Sequence, residues 1–184
     1  MKKLFAAAFL MAASSAALAQ AYVVGSVGQS DFGDCTGAIS CDNTDVGFKL
    51  LGGYKFNPYL AVEGGYVNLG KANLVVPVGA LRANGEIKSS GVTAAVVASV
   101  PIQDFELFTK LGLVYLDSQV DVSVAGLGSA SVSDTSTDVT FGVGAAYNFS
   151  KNFGVRVEFE RYRAKFDGEK GDTDLISAGL QYRF

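Results

Sequence analysis

The sequence predicts an all-β fold: eight antiparallel strands closed up-and-down into a barrel that crosses a lipid bilayer. Three observations predict it. Eight stretches of about ten residues alternate in side-chain character with the period of two that belongs to a strand, and about ten residues is what a strand tilted near 45° needs to span a bilayer. Within the presumed span, nearly every charge shares a face with the glycines, opposite a face of Val, Leu, Ile, Phe and Tyr. The connections alternate between tight turns and long polar loops, the layout of an outer-membrane barrel.

Residues 1–19 stand apart from that domain. Lys2 and Lys3 precede a short apolar run from Leu4 to Ala13, and Ala17-Leu18-Ala19 has the small-x-small form of a cleavage site. The run is too short to cross a bilayer as a helix, which takes about 20 apolar residues. It reads as a secretory signal peptide, with the barrel domain at 20–184. Of the 15 Lys and Arg, two leave with it, so 13 basic residues face 18 acidic ones. That balance excludes nucleic acid, whose binders carry a basic footprint.

The strands are expected at 21–30, 45–56, 59–69, 88–100, 105–116, 137–149, 153–164 and 174–184. In the second, Val46, Phe48, Leu50, Gly52, Tyr54 and Phe56 share the outer face, against Gly47, Lys49, Leu51, Gly53 and Lys55. In the third, Leu60, Val62, Gly64 and Tyr66 oppose Ala61, Glu63 and Gly65. The fifth sets Leu107, Leu111, Leu113 and Tyr115 against Glu106, Phe108, Lys110 and Gly112. The sixth sets Val139, Phe141, Val143 and Ala145 against Thr140, Gly142, Gly144 and Ala146. The seventh sets Val155, Val157 and Phe159 against Arg156, Glu158, Glu160 and Tyr162. The first and fourth are apolar on both faces, which leaves their parity open. A charge on the lipid side near the midplane costs about 2–4 kcal/mol. Arg161 breaks the pattern, but at the rim, where that cost vanishes and lipid phosphates are expected to pair with it.

The last strand ends on alternating Ile176, Ala178, Leu180, Tyr182 and Phe184. A chain terminus is ordinarily frayed and wet, so a terminal aromatic needs an apolar seat. Leu180, Tyr182 and Phe184 are read as the C-terminal insertion signal. With Tyr54, Phe56, Phe105, Tyr147, Phe149 and Phe153 the two aromatics form a girdle at the short-turn end, built without Trp. An even strand count puts both termini on that side, the periplasm. A soluble barrel would show the inverse, apolar inside and polar outside.

Connections 31–44, 70–87, 117–136 and 165–173 are expected as long loops. The first holds Cys35 and Cys41, a close pair in an exported chain that reads as a disulfide worth roughly 2 kcal/mol. Zinc is a poor alternative, because two cysteines without any His do not complete its shell. Asp31, Asp34, Asp42 and Asp45 are acidic but lack Ca²⁺-loop spacing. No His is present to act as general base beside a nucleophile, and no phosphate-loop pattern occurs, so neither an enzyme nor a cofactor is expected.

The runs YKFNPYLAVEGGYVNLG (54–70), FTKLG (108–112), GVRVEFERY (154–162) and the YRF ending resemble the transmembrane domain of outer membrane protein A and the wider family of small outer-membrane barrels called opacity-type porins. The resemblance covers the mature chain. It implies a Gram-negative outer membrane, surrounding lipid and lipopolysaccharide, passage through periplasmic chaperones and the barrel-assembly machinery, and a monomer. The sequence ends with the eighth strand, so wall anchoring through a following domain is not expected. The resemblance further implies that Glu63 and Arg156 form the ion pair that plugs the lumen in that family. The exchange partners proposed to open it there fall here near Val97 and Ala146. Lys49, Lys110, Glu106 and Glu158 are the inward charges able to substitute.

An eight-stranded barrel is just wide enough to be filled by its own side chains. The expected function is therefore a structural and surface protein with a lumen closed by charge pairs. The alternatives are a small low-conductance pore, and an adhesin or ligand-binding surface carried on the loops.

Overall fold

The computed structural model describes residues 20–32, 40–78, 81–124, 128–166 and 169–184. Its strands are β1 (Ala21–Asp31), β2 (Ser40–Asp42), β3 (Thr44–Asn57), β4 (Leu60–Val78), β5 (Leu81–Ile102), β6 (Phe105–Val124), β7 (Gly128–Tyr147), β8 (Phe153–Phe166) and β9 (Glu169–Arg183). Eight of them run β4-β3-β1-β9-β8-β7-β6-β5, and the β4–β5 pairing closes the cylinder. Every ladder is antiparallel, and the short β2 adds to the far half of β4. The two ends of the barrel chain meet at the short-turn end, where the Phe184 amide donates to the Ala21 carbonyl at 3.2 Å.

Three stretches that read as loops are mostly strand. The β4–β5 ladder continues to Val78↔Leu81, β6–β7 to Val124↔Gly128, and β8–β9 to Phe166↔Glu169. The reason is physical. Beyond the apolar band both faces of a strand are wet, so the alternation that announces a strand disappears while its backbone ladder goes on. Between band and hairpin, β4 carries a bulge between Asn68 and Lys71. Gly70 takes φ +80° there, a left-handed conformation that favours glycine. The Asn68 side chain accepts the Gly70 amide and Asp45 accepts that of Lys71, each at 2.8 Å.

The outer face is apolar: Val27, Leu50, Val96, Leu111, Val143, Val157, Ile176 and Leu180 are all exposed. At its lower border the rings touch in sequence. Phe149 stacks on Phe153 at 6.3 Å, Phe153 meets Tyr182 at 5.0 Å, and Tyr182 meets Phe184 at 5.1 Å. Tyr54–Phe56 and Phe105–Tyr147 carry the ring farther round. Its upper border has Phe48 against Tyr66 at 5.9 Å, a second aromatic contact the sequence reading passed over. Phe153 to Arg161 is eight residues along β8, roughly 26 Å of strand, which suits the apolar band of a membrane barrel.

Arg161 finds its partner within the chain rather than in lipid. Its guanidinium grips Asp174, the opposite residue on β9, with two bonds of 2.6 Å. The paired charges mark the top of the apolar band without leaving an unpaired one there.

The open parities are now fixed. On β1, Tyr22, Val24, Ser26 and Ser30 are buried while Val23 and Val27 are exposed; on β5, Val97 and Ser99 are buried while Val92, Val96 and Val100 are exposed. Inward glycines make room for inward rings. A Cβ on Gly53 would stand 2.2 Å from the Tyr22 ring, and one on Gly144 would stand 2.3 Å from the Phe108 ring.

One turn is strained. Ile102 pairs with Phe105 across the two-residue turn Gln103-Asp104, and Gln103 has φ 57°. An L-residue pays roughly 1–2 kcal/mol for that conformation, and glycine gives part of it back in unfolded-state entropy. Gln103→Gly is expected to stabilise the barrel by about 0.5–1 kcal/mol. Urea-gradient refolding, followed by the gel-mobility difference between folded and unfolded forms, checks this; an unchanged midpoint contradicts it.

Candidate functional site

The period of two on β8 puts Arg156, Glu158, Glu160 and Tyr162 on its lumen face. Lys49 reaches them from β3, Glu63 from β4 and Lys110 from β6. Three carboxylates thus meet three cations, and none of the six residues is more than 5% exposed. Arg156 Nη1 and Nη2 donate to Glu63 Oε1 and Oε2 at 2.6 and 3.3 Å, and Arg156 Nε pairs with Glu158. Lys110 Nζ lies 2.8 Å from Glu63, 3.1 Å from Glu158 and 3.3 Å from Glu160. Lys49 Nζ joins Glu158 and Glu160 from the other side. The formal charges sum to zero, which is what lets the group leave water: each carboxylate keeps at least two cationic partners.

This ion layer lies between two apolar clusters. One is Tyr22, Val24, Leu51, Ala61, Val97, Phe108 and Ala146; the other is Val67, Leu69, Val114, Leu116, Tyr162 and Leu175. Each contributes a tyrosine to the charges. Tyr22 donates to Glu63 Oε1 at 2.7 Å, and Tyr162 to Glu160 Oε2 at 3.1 Å. Arg156 Cζ lies over the Phe108 ring, 4.0 Å from the ring centroid, a cation–π contact strengthened by exclusion of water. Gln181 on β9 accepts a longer bond of 3.4 Å from Arg156.

The residues singled out from the sequence therefore fall in different places. Glu63, Arg156, Lys49, Lys110 and Glu158 stand together, joined by Glu160. Glu106 stands apart. It holds Lys55 with two bonds of 2.7 and 2.6 Å at the short-turn mouth, beside a cavity of about 400 Å³ that Tyr22, Phe105 and Arg183 also line. Val97 and Ala146, where the family's exchange partners would align, belong to the apolar cluster on one side of the ion layer. Tyr22, on a strand apolar on both faces, gave no sequence sign of where its hydroxyl ends, and alternation placed Tyr162 inward without naming the carboxylate its hydroxyl meets. Leu180 and Phe184 are exposed on the outer face, and Tyr182 joins the aromatic ring. Cys35 lies outside the described residues; Cys41 pairs through its backbone with Leu74.

Beyond the apolar band, charges lie on the outside of the long hairpins. Lys88 and Lys71 reach Glu86 at 2.6 and 3.2 Å, and their hydrogen bonds hold that carboxyl below its ordinary range. The pairing is therefore present at neutral pH and is lost only as the pH falls through the lowered value.

The chain matches the family model described as "Outer membrane protein beta-barrel domain" over residues 4–184. It is 32% identical to outer membrane protein A of Yersinia pseudotuberculosis over 173 residues, 89% of this chain and 48% of that one. It is 30% identical to outer membrane protein A of Salmonella typhi across its whole length, which covers 56% of that relative. The chain thus spans about half the length of these relatives. Among solved structures it resembles the attachment invasion locus protein of Yersinia pestis, with a TM-score of 0.59 and 23% identity over 89% of this chain and 99% of that one. It also resembles the outer membrane protein OprG of Pseudomonas aeruginosa, with a TM-score of 0.62 and 15% identity over 90% and 96%. These two likenesses show the fold, a closed antiparallel barrel with a lipid-facing exterior. The chain belongs to the outer membrane protein beta-barrel family, as a Gram-negative outer-membrane barrel related to outer membrane protein A.

Proposed function

We propose that this protein is a structural and surface component of the outer membrane, with its lumen closed by the ion layer around Glu63 and Arg156. The observation that carries this reading is the burial of all six charges between two apolar clusters. A permeating ion would have to displace partners from a neutral, mutually satisfied group and cross apolar layers on either side, which a low dielectric makes costly. In this reading the termini lie in the periplasm, the long hairpins face outward, and lipid and lipopolysaccharide surround a monomer delivered by the barrel-assembly machinery after signal-peptide removal. No catalytic role is assigned. Planar-bilayer recording of the purified protein tests closure. Current at the lipid baseline is the expected result; discrete conductance steps that vanish on blocking the lumen would establish the small-pore reading instead.

A second reading is supported by the hairpins. Strands β4 to β7 run well past the upper aromatics, presenting backbone and polar side chains away from the bilayer. A Cys35–Cys41 disulfide would brace the first connection beside them. The attachment invasion locus protein of Yersinia pestis, a structural neighbour, has been solved in complex with a heparin analogue. Ligand binding by the hairpins of this chain is the corresponding proposal.

A further inference from the structure

The barrel wall is closed only in part of its height. β7 pairs with β6 along its whole length, from Tyr147 to Gly128. With β8 it pairs only from Tyr147 to Thr140. Above that level β8 turns away with β9, pairing Arg163–Phe166 with Glu169–Asp172. Residues 128–139 of β7 therefore have a ladder on one side and, among the described residues, none on the other.

The direction of the free groups can be read from the hydrogen bonds. The Gly142 carbonyl accepts the Thr109 hydroxyl of β6, so even-numbered residues of β7 address β6. The Thr135 amide is bonded to the neighbouring Asp134 side chain at 2.9 Å. Ser131, Ser133, Thr135, Thr137 and Val139 thus turn their backbone groups to the open side. An exposed edge of this kind is ordinarily guarded by Lys, Pro, inward-pointing charges or a covering segment. Residues 131–139 contain no Lys, Arg or Pro. On the lumen-side face of the same strand stand Asp134 and Asp138. Asp138 is 6% exposed, and its Oδ2 has no hydrogen-bond partner.

We propose that this edge is a strand-addition site. An extended segment of another polypeptide, with Lys or Arg at alternate positions, pairs with β7 in the gap between β7 and β8. Its backbone meets the open groups of residues 131–139. Its basic side chains share a face with Asp134 and Asp138, because directly opposed residues in a ladder point the same way. The outward face of the added strand meets Ser131, Ser133, Thr135 and Thr137, which asks for small or hydroxyl side chains there. A second copy of this chain is a poorer occupant, since edge-to-edge pairing would bring Asp134 and Asp138 against their own kind. The site does not depend on whether the lumen is closed.

The test uses the full barrel in lipid nanodiscs and a fluorescent twelve-residue peptide of alternating lysine and threonine, read by anisotropy. Binding is expected, weakened at least tenfold by Thr137→Pro, which removes an edge amide without changing charge, and several-fold by Asp138→Asn. A peptide of alternating glutamate and threonine should not bind. A lysine–threonine peptide N-methylated at alternate residues, which loses its ladder donors but keeps its charge, should also fail; this arm stands even if the proline variant does not fold. Equal binding of the methylated peptide, undiminished binding to Thr137→Pro, no binding at all, or self-association of the barrel through this edge overturns the proposal.

Discussion

Arg156→Leu is expected to lower the unfolding free energy of the barrel by about 3–5 kcal/mol, the usual result of removing one member of a buried ion pair. Three carboxylates would then share two lysines, leaving one negative charge with neither water nor a full partner. Phe108 would also lose the guanidinium over its ring. The companion variant Glu63→Gln leaves a surplus cation and is expected to cost a comparable amount. Combining the two restores neutrality, so the double variant should be less damaged than the two single losses added together, with a coupling of about 1–3 kcal/mol. Reversible urea unfolding in lipid vesicles gives all four corners of the cycle. Strict additivity would mean that Glu63 and Arg156 do not act on one another, despite bonds of 2.6 and 3.3 Å.

The next largest effect is expected outside. Val157 is 57% exposed on β8, midway between Phe153 below and Arg161 above. Val157→Arg should cost about 2–4 kcal/mol, because the guanidinium would stand in hydrocarbon at the midplane. Val139→Arg, on the adjacent strand and higher up the wall, should cost about 0–1 kcal/mol, because its charge reaches the interface. The same folding titration reads both. Equal costs at the two positions would contradict the placement of the apolar band.

The contrast between those two faces explains what the sequence could disclose. On β3, β4, β6, β7, β8 and β9 a wet or charged residue stood opposite an aliphatic one often enough to fix the parity of every position. β1 and β5 resisted, because the interior is itself layered. Val24 and Val97 face inward against apolar neighbours, so an inward valine looks like an outward one. The long hairpins resisted for the opposite reason. Residues such as Ser118 and Gln119 are polar on both faces, and composition alone reads as loop what the backbone pairs as strand. Glu63, Arg156, Lys110 and Lys49 could be assigned to the lumen from alternation. Which carboxylate each would meet could not, since that depends on strand stagger around the cylinder. Glu106 illustrates this: it shares the inward face of β6 with Lys110 but is held by Lys55 at the mouth.

Proton exchange at the lysine side chains tests the closed, dry ion layer most directly. With the barrel in nanodiscs and nitrogen-15 at Nζ, the ammonium signals of Lys49 and Lys110 should persist after transfer into deuterated buffer at neutral pH. Those of Lys71 and Lys88, on the exposed hairpins, should be lost at once. If Lys49 and Lys110 exchange as fast as the exposed pair, water reaches the centre of the barrel and the lumen is not sealed.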